Sequence, residues 1–516
     1  MASPRIRKLG ALLALSATPL AQAADWTITP SISASEMYSD NIFLSPSPNQ
    51  LSDFVTTLMP GIAVQGTSDR LKAKMNYSLQ DINYAKYSSF DYITQQLSAS
   101  GNADLIGKTL FLDAAASISQ QPLYIAGPMG FGNTSANGNL ANVTTTTVSP
   151  YVTHRFGSFA TGLVRYTHQT MNMSQAGPSV NGYAGGYGLG MFNSTTDTAL
   201  ATLNSGSDFN NLIWGLNLNN SSIRYEGMPP MTLAQYSANL GYLITPRFKA
   251  IATAGIEDDS FAYIGQNPRS NFWSLGFDWS PSVRTKLEVA EGERFFGRTH
   301  SLNFTHYSRM TTWNASYTQD VTTMLMQQTV PPSVTLDQLL QSQIPDPATR
   351  QQVVQSMLAS LGSQSFLFAQ NIMTNQIMLV KTLKASATLA LPRDTYLATV
   401  FNTKTAPLQQ AVNFLPGALS AYNFLNMDQY GGTLSWNRKL NPILSANANF
   451  NTTYFTFPGQ ALEEKMRAFT VGLSRILGPK LNGNFLLRHQ SMDSSPANFG
   501  YSFSENAAIA SIMYLF

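Results

Sequence analysis

The stretch ENAAIASIMYLF, Glu505–Phe516, ends the chain on an aromatic residue. From Ala508 its even positions, Ala508, Ala510, Ile512, Tyr514 and Phe516, are all apolar, whereas the odd positions from Glu505 to Leu515 are mixed. Alternation of this kind is the pattern of a half-buried strand. An alternating strand that finishes on an aromatic is how an outer-membrane β-barrel presents its closing strand, with a girdle residue at the membrane surface. Ile512, Tyr514 and Phe516 are therefore the expected assembly signal, the part of the chain that the barrel assembly machinery would read.

Working outward, the other end of the chain agrees. Residues 1–23 carry Arg5, Arg7 and Lys8, an apolar stretch from Leu9 to Leu20 and the small-residue site Ala21-Gln22-Ala23. Together these read as a secretory signal removed before Ala24, which leaves 24–516 as the mature domain. Beyond it no run approaches the roughly 18–20 consecutive apolar residues of a membrane helix. A membrane-spanning form of this chain must cross as strands, with its outer face against membrane lipid and lipopolysaccharide. Without the signal the chain holds 28 basic against 28 acidic residues, and a balance near zero argues against nucleic acid as a partner, which would need a basic face.

Composition fits a wall between lipid and water. Charged residues are only 11% of the chain, against roughly 25% in soluble domains, and Asn, Ser, Thr, Gln, Gly and Tyr carry the polarity. A charge on the lipid face would cost roughly 2–4 kcal/mol near the bilayer midplane. There is no cysteine, which excludes thiolate metal sites and Cys nucleophiles.

The period is two almost everywhere. Leu444, Ala446, Ala448, Phe450, Thr452 and Tyr454 interleave with Ser445, Asn447, Asn449, Asn451 and Thr453, and Trp273, Leu275, Phe277 and Trp279 alternate with Ser274, Gly276 and Asp278. Counting such segments predicts an all-β antiparallel transmembrane barrel of about 22 strands, in a range of 18 to 22. Connection parity supports the even count. With both termini in the periplasm every second connection should be a tight turn, as at Thr67-Ser68-Asp69-Arg70, Ile106-Gly107-Lys108, Gly157-Ser158, Thr245-Pro246-Arg247, Ser280-Pro281-Ser282, Pro392-Arg393 and Gly478-Pro479.

Alternation assigns a set of charges to the lumen: Lys72, Lys74, Asp104, Asp113, Arg165, Lys286, Glu288, Lys384 and Arg488. They either pair with one another and brace the inner wall or set a selectivity field in a pore. Both signs occur in this set, so strong anion or cation selectivity is not expected. Two outer loops, 121–145 and 172–194, are rich in Gly, Asn and Ser and hold no Asp, Glu, Lys or Arg. They read either as surface coil or as a neutral lip on which Tyr124, Tyr183 and Tyr187 would contact sugar rings.

One segment breaks the period. Between about 333 and 362, Leu336, Leu339, Leu340 and Ile344 follow Ser333 or Thr335 as caps, and Asp346-Pro347 opens a second run with Val353, Val354, Met357, Leu358 and Leu361, stopping at Gly362. Pro at the first helical position and Gly past the end bracket a short helix pair. Parity puts this insertion on the extracellular side, where its apolar face must bury against loops, as a loop decoration, or fold into the pore mouth, as a lid or constriction. With the first strand beginning at Trp26, an amino-terminal plug has no room, so the constriction should come from this insertion or the long loops.

Catalytic chemistry is thin. The histidines, His154, His168, His300, His306 and His489, have no metal-ligand spacing, and no cofactor is expected. His489-Gln490-Ser491 puts an imidazole and a hydroxyl on one strand face, and His168-Gln169-Thr170 repeats the arrangement. Outer-membrane phospholipases use a His-x-Ser pair of this kind on the outer wall of a barrel. The motif alone lacks an orienting residue and an oxyanion site, so the expectation is a protein that is not an enzyme.

Two stretches carry a family resemblance. PSISASEMYSDNIFLSP, from Pro30 to Pro46, is followed by Asp53-Phe54 and Met59-Pro60-Gly61; GERFFGRTHSLNFTHYSRMTTWNASYTQDVTT runs from Gly292 to Thr323. With the helical interruption they resemble the PEP-CTERM system-associated outer-membrane β-barrel family, within the wider putative β-barrel porin group, over nearly the whole mature chain. The resemblance implies a Gram-negative outer-membrane channel or scaffold in exopolysaccharide export and protein-sorting systems, with polysaccharide and export proteins as partners and no catalytic residues. A general or substrate-specific uptake porin is the rival expectation, and an outer-membrane hydrolase a more distant one.

Overall fold

The computed structural model describes residues 24–123, 127–175, 193–226, 229–260, 269–323, 326, 332–341, 344, 350, 353, 354, 357, 374, 376–408, 426–459, 461–496 and 501–516. Alternating sequence gives strands throughout. The first eleven are β1 (Asp25–Ser39), β2 (Asp53–Thr67), β3 (Leu71–Tyr84), β4 (Tyr92–Ile106), β5 (Leu110–Pro122), β6 (Leu140–Phe156), β7 (Ala160–Gln175), β8 (Ser194–Ser205), β9 (Leu212–Tyr225), β10 (Met231–Thr245) and β11 (Phe248–Asp258). Then come β12 (Arg269–Ser282), β13 (Thr285–Arg294), β14 (Gly297–Tyr307), β15 (Thr311–Thr322), β16 (Met378–Ala390), β17 (Asp394–Pro407), β18 (Met427–Asn441), β19 (Leu444–Phe457), β20 (Leu462–Gly478), β21 (Leu481–Ser495) and β22 (Phe503–Leu515). Between β15 and β16 lies helix α1 (Pro332–Gln341).

Every strand pairs antiparallel with its sequence neighbour, and β1 pairs with β22 from Ser31↔Leu515 to Ser39↔Ala507, so the sheet closes into a 22-stranded barrel. A closed barrel leaves no unpaired edge, which is the condition for crossing a bilayer as strands. The connections separate by length. Those on the side of the termini are tight, such as 107–109, 157–159, 391–393 and 479–480. Gly107 and Lys108 take left-handed backbone in one of them, with φ of 42° and 61°. The turn expected at Ser280–Ser282 sits slightly later, because Ser282 still pairs with Thr285.

The outer face is apolar. Trp26, Ile28, Leu58, Val164, Leu240, Trp273, Trp279, Val400, Leu434, Phe469, Leu487 and Ile512 stand exposed around the circumference, where hydrocarbon would cover them. The inner face carries Thr, Ser and Asn, as on β19, where Asn447, Asn449, Asn451 and Thr453 are buried.

Candidate functional site

The lumen positions whatever this barrel does, and its inner wall is covered unevenly. Near the extracellular rim, inward side chains are buried all round: Met37 and Ser39 on β1, Ile82 and Tyr84 on β3, Met171 on β7, Ile223 and Tyr225 on β9, Glu257 on β11, Met427 on β18 and Glu464 on β20. Near the periplasmic end the picture splits. Lys72, Lys74 and Asn76 on β3 and Asn102 on β4 are exposed, whereas Thr388, Thr395, Thr399, Ser435, Asn437 and Asn447 on β16–β19 are buried. The interior is therefore a vestibule open toward the periplasm along one side, filled along the other and shut under the extracellular rim.

Two elements contribute to the closure. The first is the segment 127–139 between β5 and β6, which folds inward: Met129, Phe131, Asn133, Ala136, Asn137 and Asn139 are buried. This differs from the surface coil or sugar-binding lip expected there. The cause is legible in its composition, because without charges to solvate the segment can leave water once its amides are satisfied. Asn137 Nδ2 donates to the Pro128 carbonyl at 2.9 Å, and the Asn139 amide donates to Asn137 Oδ1 at 3.0 Å. Tyr84 Oη donates to the Thr134 carbonyl at 2.9 Å, and the Ala136 amide donates to the Ile42 carbonyl at 3.0 Å, which bolts the segment to β3 and the β1–β2 loop. Met129 and Phe131 join Leu44, Met378, Met427, Phe455, Phe457, Leu462, Met466, Met492 and Phe503 in one apolar seal under the rim.

The second element is the helical insertion. Leu336 and Leu340 of α1 bury against Val353, Val354 and Met357, as the 3.6-residue spacing required, and Arg350 ties the two runs by donating to Asp337 at 2.6 Å and to the Ile344 carbonyl at 2.8 Å. The same cluster includes Leu397. Leu397 is the fourth residue of β17, just above the periplasmic turn at 391–393. The insertion is thus not a surface decoration; it folds inward as a constriction would, past the mouth and down the lumen almost to the periplasmic end. Its apolar stripe explains the depth, since only an inward site buries both helical runs and a wall leucine together. Pro347, Leu358, Leu361 and Gly362 lie outside the described residues.

All nine charges assigned to the lumen project inward, and most are paired. Arg165 meets Asp113 at 2.7 Å and lies over the Tyr151 ring at 4.1 Å. Lys286 pairs with Glu288, which also accepts from Asn303 at 2.9 Å. Asp104 sits 3.8 Å from Arg70 and accepts the Lys108 amide at 3.0 Å, so it shapes a turn. Lys384 stands on the inner face opposite Ser316. Lys72 and Lys74 project into the open side with no ion pair among the described residues. Arg488 is the buried member. It contacts Glu505 at 3.0 Å and donates to the Phe131 carbonyl at 3.3 Å, while Gln490 Oε1 accepts the Phe131 amide at 2.9 Å. Ser39 Oγ completes the set, donating to Glu505 at 2.6 Å.

Sequence reading missed several partners. Glu257 is buried against Arg294, which also reaches Asp320 at 2.8 Å, and Lys249 pairs with Asp278 at 2.6 Å. Strand parity alone would have placed all five inside. Tyr124, Tyr183 and Tyr187 lie outside the described residues. Outside the strands, burial pushes the Asp259 carboxyl up to about 6, although it accepts the Ala234 amide at 3.1 Å.

No family model and no curated protein matches the chain. Among solved structures it is similar to the FrpB iron transporter of Neisseria meningitidis, at 10% identity over 97% of this chain and 84% of that one, with a TM-score of 0.51. It is also similar to a ferric enterobactin receptor of Pseudomonas aeruginosa (10% identity, 96% and 81% coverage, TM-score 0.50) and to the siderophore receptor PiuA of Acinetobacter baumannii (8%, 94% and 82%, 0.50). At such identity the likeness is one of fold. Closure of 22 strands, an apolar outer belt and these neighbours together make the chain an outer-membrane β-barrel.

Proposed function

We propose that this barrel is a gated channel that passes a neutral or weakly charged polysaccharide across the outer membrane, within the exopolysaccharide and PEP-CTERM surface systems that the resemblance implies. The observation that carries the reading is the vestibule, open toward the periplasm along β3 and β4 and shut outside, with a wall of Thr, Ser and Asn covered on β16–β19. On the open side Lys72 and Lys74 would meet a weakly charged glycan, and the hydroxyls and amides of β16–β19 would exchange hydrogen bonds with it once their cover moves. Polymer arriving from the periplasm, handed over by export proteins, would enter the open side, and displacement of the inward elements would let it leave.

An uptake porin is the second reading, favoured by the rim seal, which a specific external solute could release. A strain lacking the protein separates the two. Loss of surface polysaccharide with polymer retained in the periplasm is expected; intact surface polysaccharide with failed uptake of a small nutrient would replace export by uptake.

A further inference from the structure

The outer wall at the barrel seam holds an ordered polar chain near the extracellular ends of β21, β22 and β1. His489 and Asn506 are cross-strand partners, and His489 Nδ1 lies 2.8 Å from Asn506 Oδ1. Asn506 is itself fixed, because its Nδ2 donates to Asp40 Oδ2 at 2.8 Å and its backbone amide donates to Asp40 Oδ1 at 2.7 Å. That contact decides the amide orientation, and the orientation decides the imidazole. With Oδ1 facing His489, Nδ1 must carry the proton in the neutral ring, which leaves Nε2 as the base.

Ser491 follows His489 at i + 2, the spacing that shares a strand face. Its hydroxyl has no hydrogen-bond partner among the described residues. Arg467 is its cross-strand partner on β20, held 3.6 Å from Asp493. Below them Leu487, Phe485 and Phe469 project outward, each about half exposed. The outer face of β7 and β8 offers a contrast. His168 lies 2.7 Å from Asp197, but Thr170 is hydrogen-bonded to Thr146 at 2.6 Å, and Asp197 is shared with Tyr166 and Arg224. A latch holding β1 to β22 would account for Asp40 and Asn506. It needs neither a hydroxyl beside an oriented imidazole nor a guanidinium next to that hydroxyl.

We propose that Ser491, His489 and Asn506 form a serine esterase site on the outer wall, with acyl esters of outer-leaflet lipids as substrate. Ser491 Oγ attacks the ester carbonyl while His489 Nε2 takes its proton, Asn506 positions the ring, and Arg467 faces the oxyanion. The ester C–O bond breaks, His489 returns the proton to the leaving alcohol, and an acyl-serine remains. Water, deprotonated by His489, then cleaves that acyl bond, releasing a fatty acid and restoring Ser491. Acyl chains would lie against Leu487, Phe485 and Phe469. The site faces lipid, so it does not depend on what the lumen carries.

The test uses the full barrel folded in detergent, treated with a long-chain alkylsulfonyl fluoride and, separately, with micellar diacyl phospholipid. Expected are a single covalent adduct mapped to Ser491 and release of free fatty acid. Ser491→Ala should abolish both, and His489→Ala should slow release by about 100-fold or more, in line with the usual worth of general acid–base catalysis. Asn506→Ala should lower kcat with KM unchanged, the mark of a positioning residue. Ser491→Ala removes no hydrogen bond of the seam, so its heat-modifiable gel mobility should match the parent. Folded parent barrel that forms no adduct and releases no fatty acid, or S491A that does both, overturns the proposal and leaves the cluster as a latch.

Discussion

Arg488 and Glu505 face each other inside the wall with Ser39, Gln490 and the Phe131 backbone around them, so one ion pair holds the inward segment 127–139 to the seam strands. Removing one partner strands the other charge away from water, at a cost of roughly 3–5 kcal/mol. Glu505→Gln is therefore expected to release 127–139 while the barrel stays closed, read as noisier, larger single-channel currents in planar bilayers. Arg488→Met, which removes the hydrogen bond to the Phe131 carbonyl as well as the ion pair, should release the segment too; quiet traces in both variants would show that the pair does not hold the segment. Asp259 makes a second prediction at this scale. Its folded pKa of about 6 lies above the ordinary carboxylate value near 4 because burial disfavours the ion. The contribution of its neutral form is thus full below about pH 4 and lost as pH rises through 6. Hydrogen exchange of 229–260, corrected for intrinsic rates, should be faster at pH 7.5 than at pH 5, and Asp259→Asn should flatten the difference. An unchanged pH dependence in D259N would assign it elsewhere. Parity made the inward set readable from sequence, since a strand fixes which face a residue takes. Who pairs with whom was not, because Arg488 meets Phe131 across 357 residues of chain.

The helical insertion and the inward segment occlude the lumen at different depths, one reaching Leu397 and the other sealing under the rim. Obstructions in series leave the remaining one limiting. Deleting 333–362 alone, or 127–139 alone, should raise conductance modestly, and the double deletion should raise it by more than the sum of the two. Simple additivity in planar bilayers would mean two parallel paths. Assembly should survive, because the wall around Leu397 is mostly Thr, Ser and Asn, to which water is an adequate partner. The two helical runs were legible from their apolar spacing. Their depth was not, since periodicity reports that a face must be buried and is silent on which wall will bury it. The segment 127–139 misled for a related reason: a neutral Gly-Asn sequence suits a surface coil and a self-satisfied buried loop equally well.

At the scale of the molecule, stability rests on closure. The strand pairs are alike, and the one that closes the ring joins β1 with β22. Beyond the ladder the Phe516 amide donates to the Pro30 carbonyl at 3.0 Å, and the Phe516 ring meets Tyr514 edge-on at 5.0 Å in the exposed girdle. This seam was readable in ENAAIASIMYLF because its period of two and its girdle aromatics are those of a lipid-facing barrel strand. The folded barrel should resist detergent until boiled, since with no free edge strand separation has nowhere to start. Its band should therefore run faster in unheated gels and shift on boiling. Phe516→Asp places a charge where the ring anchors to the interface while leaving the backbone bond available, so it should slow insertion without altering the strand ladder. Pulse-labelled outer-membrane fractions should contain less of the fast-migrating form of F516D than of the parent, with the balance unfolded in the periplasm. If F516D inserts at the parent's rate, closure does not depend on the terminal ring, and the register of β1 with β22 alone suffices.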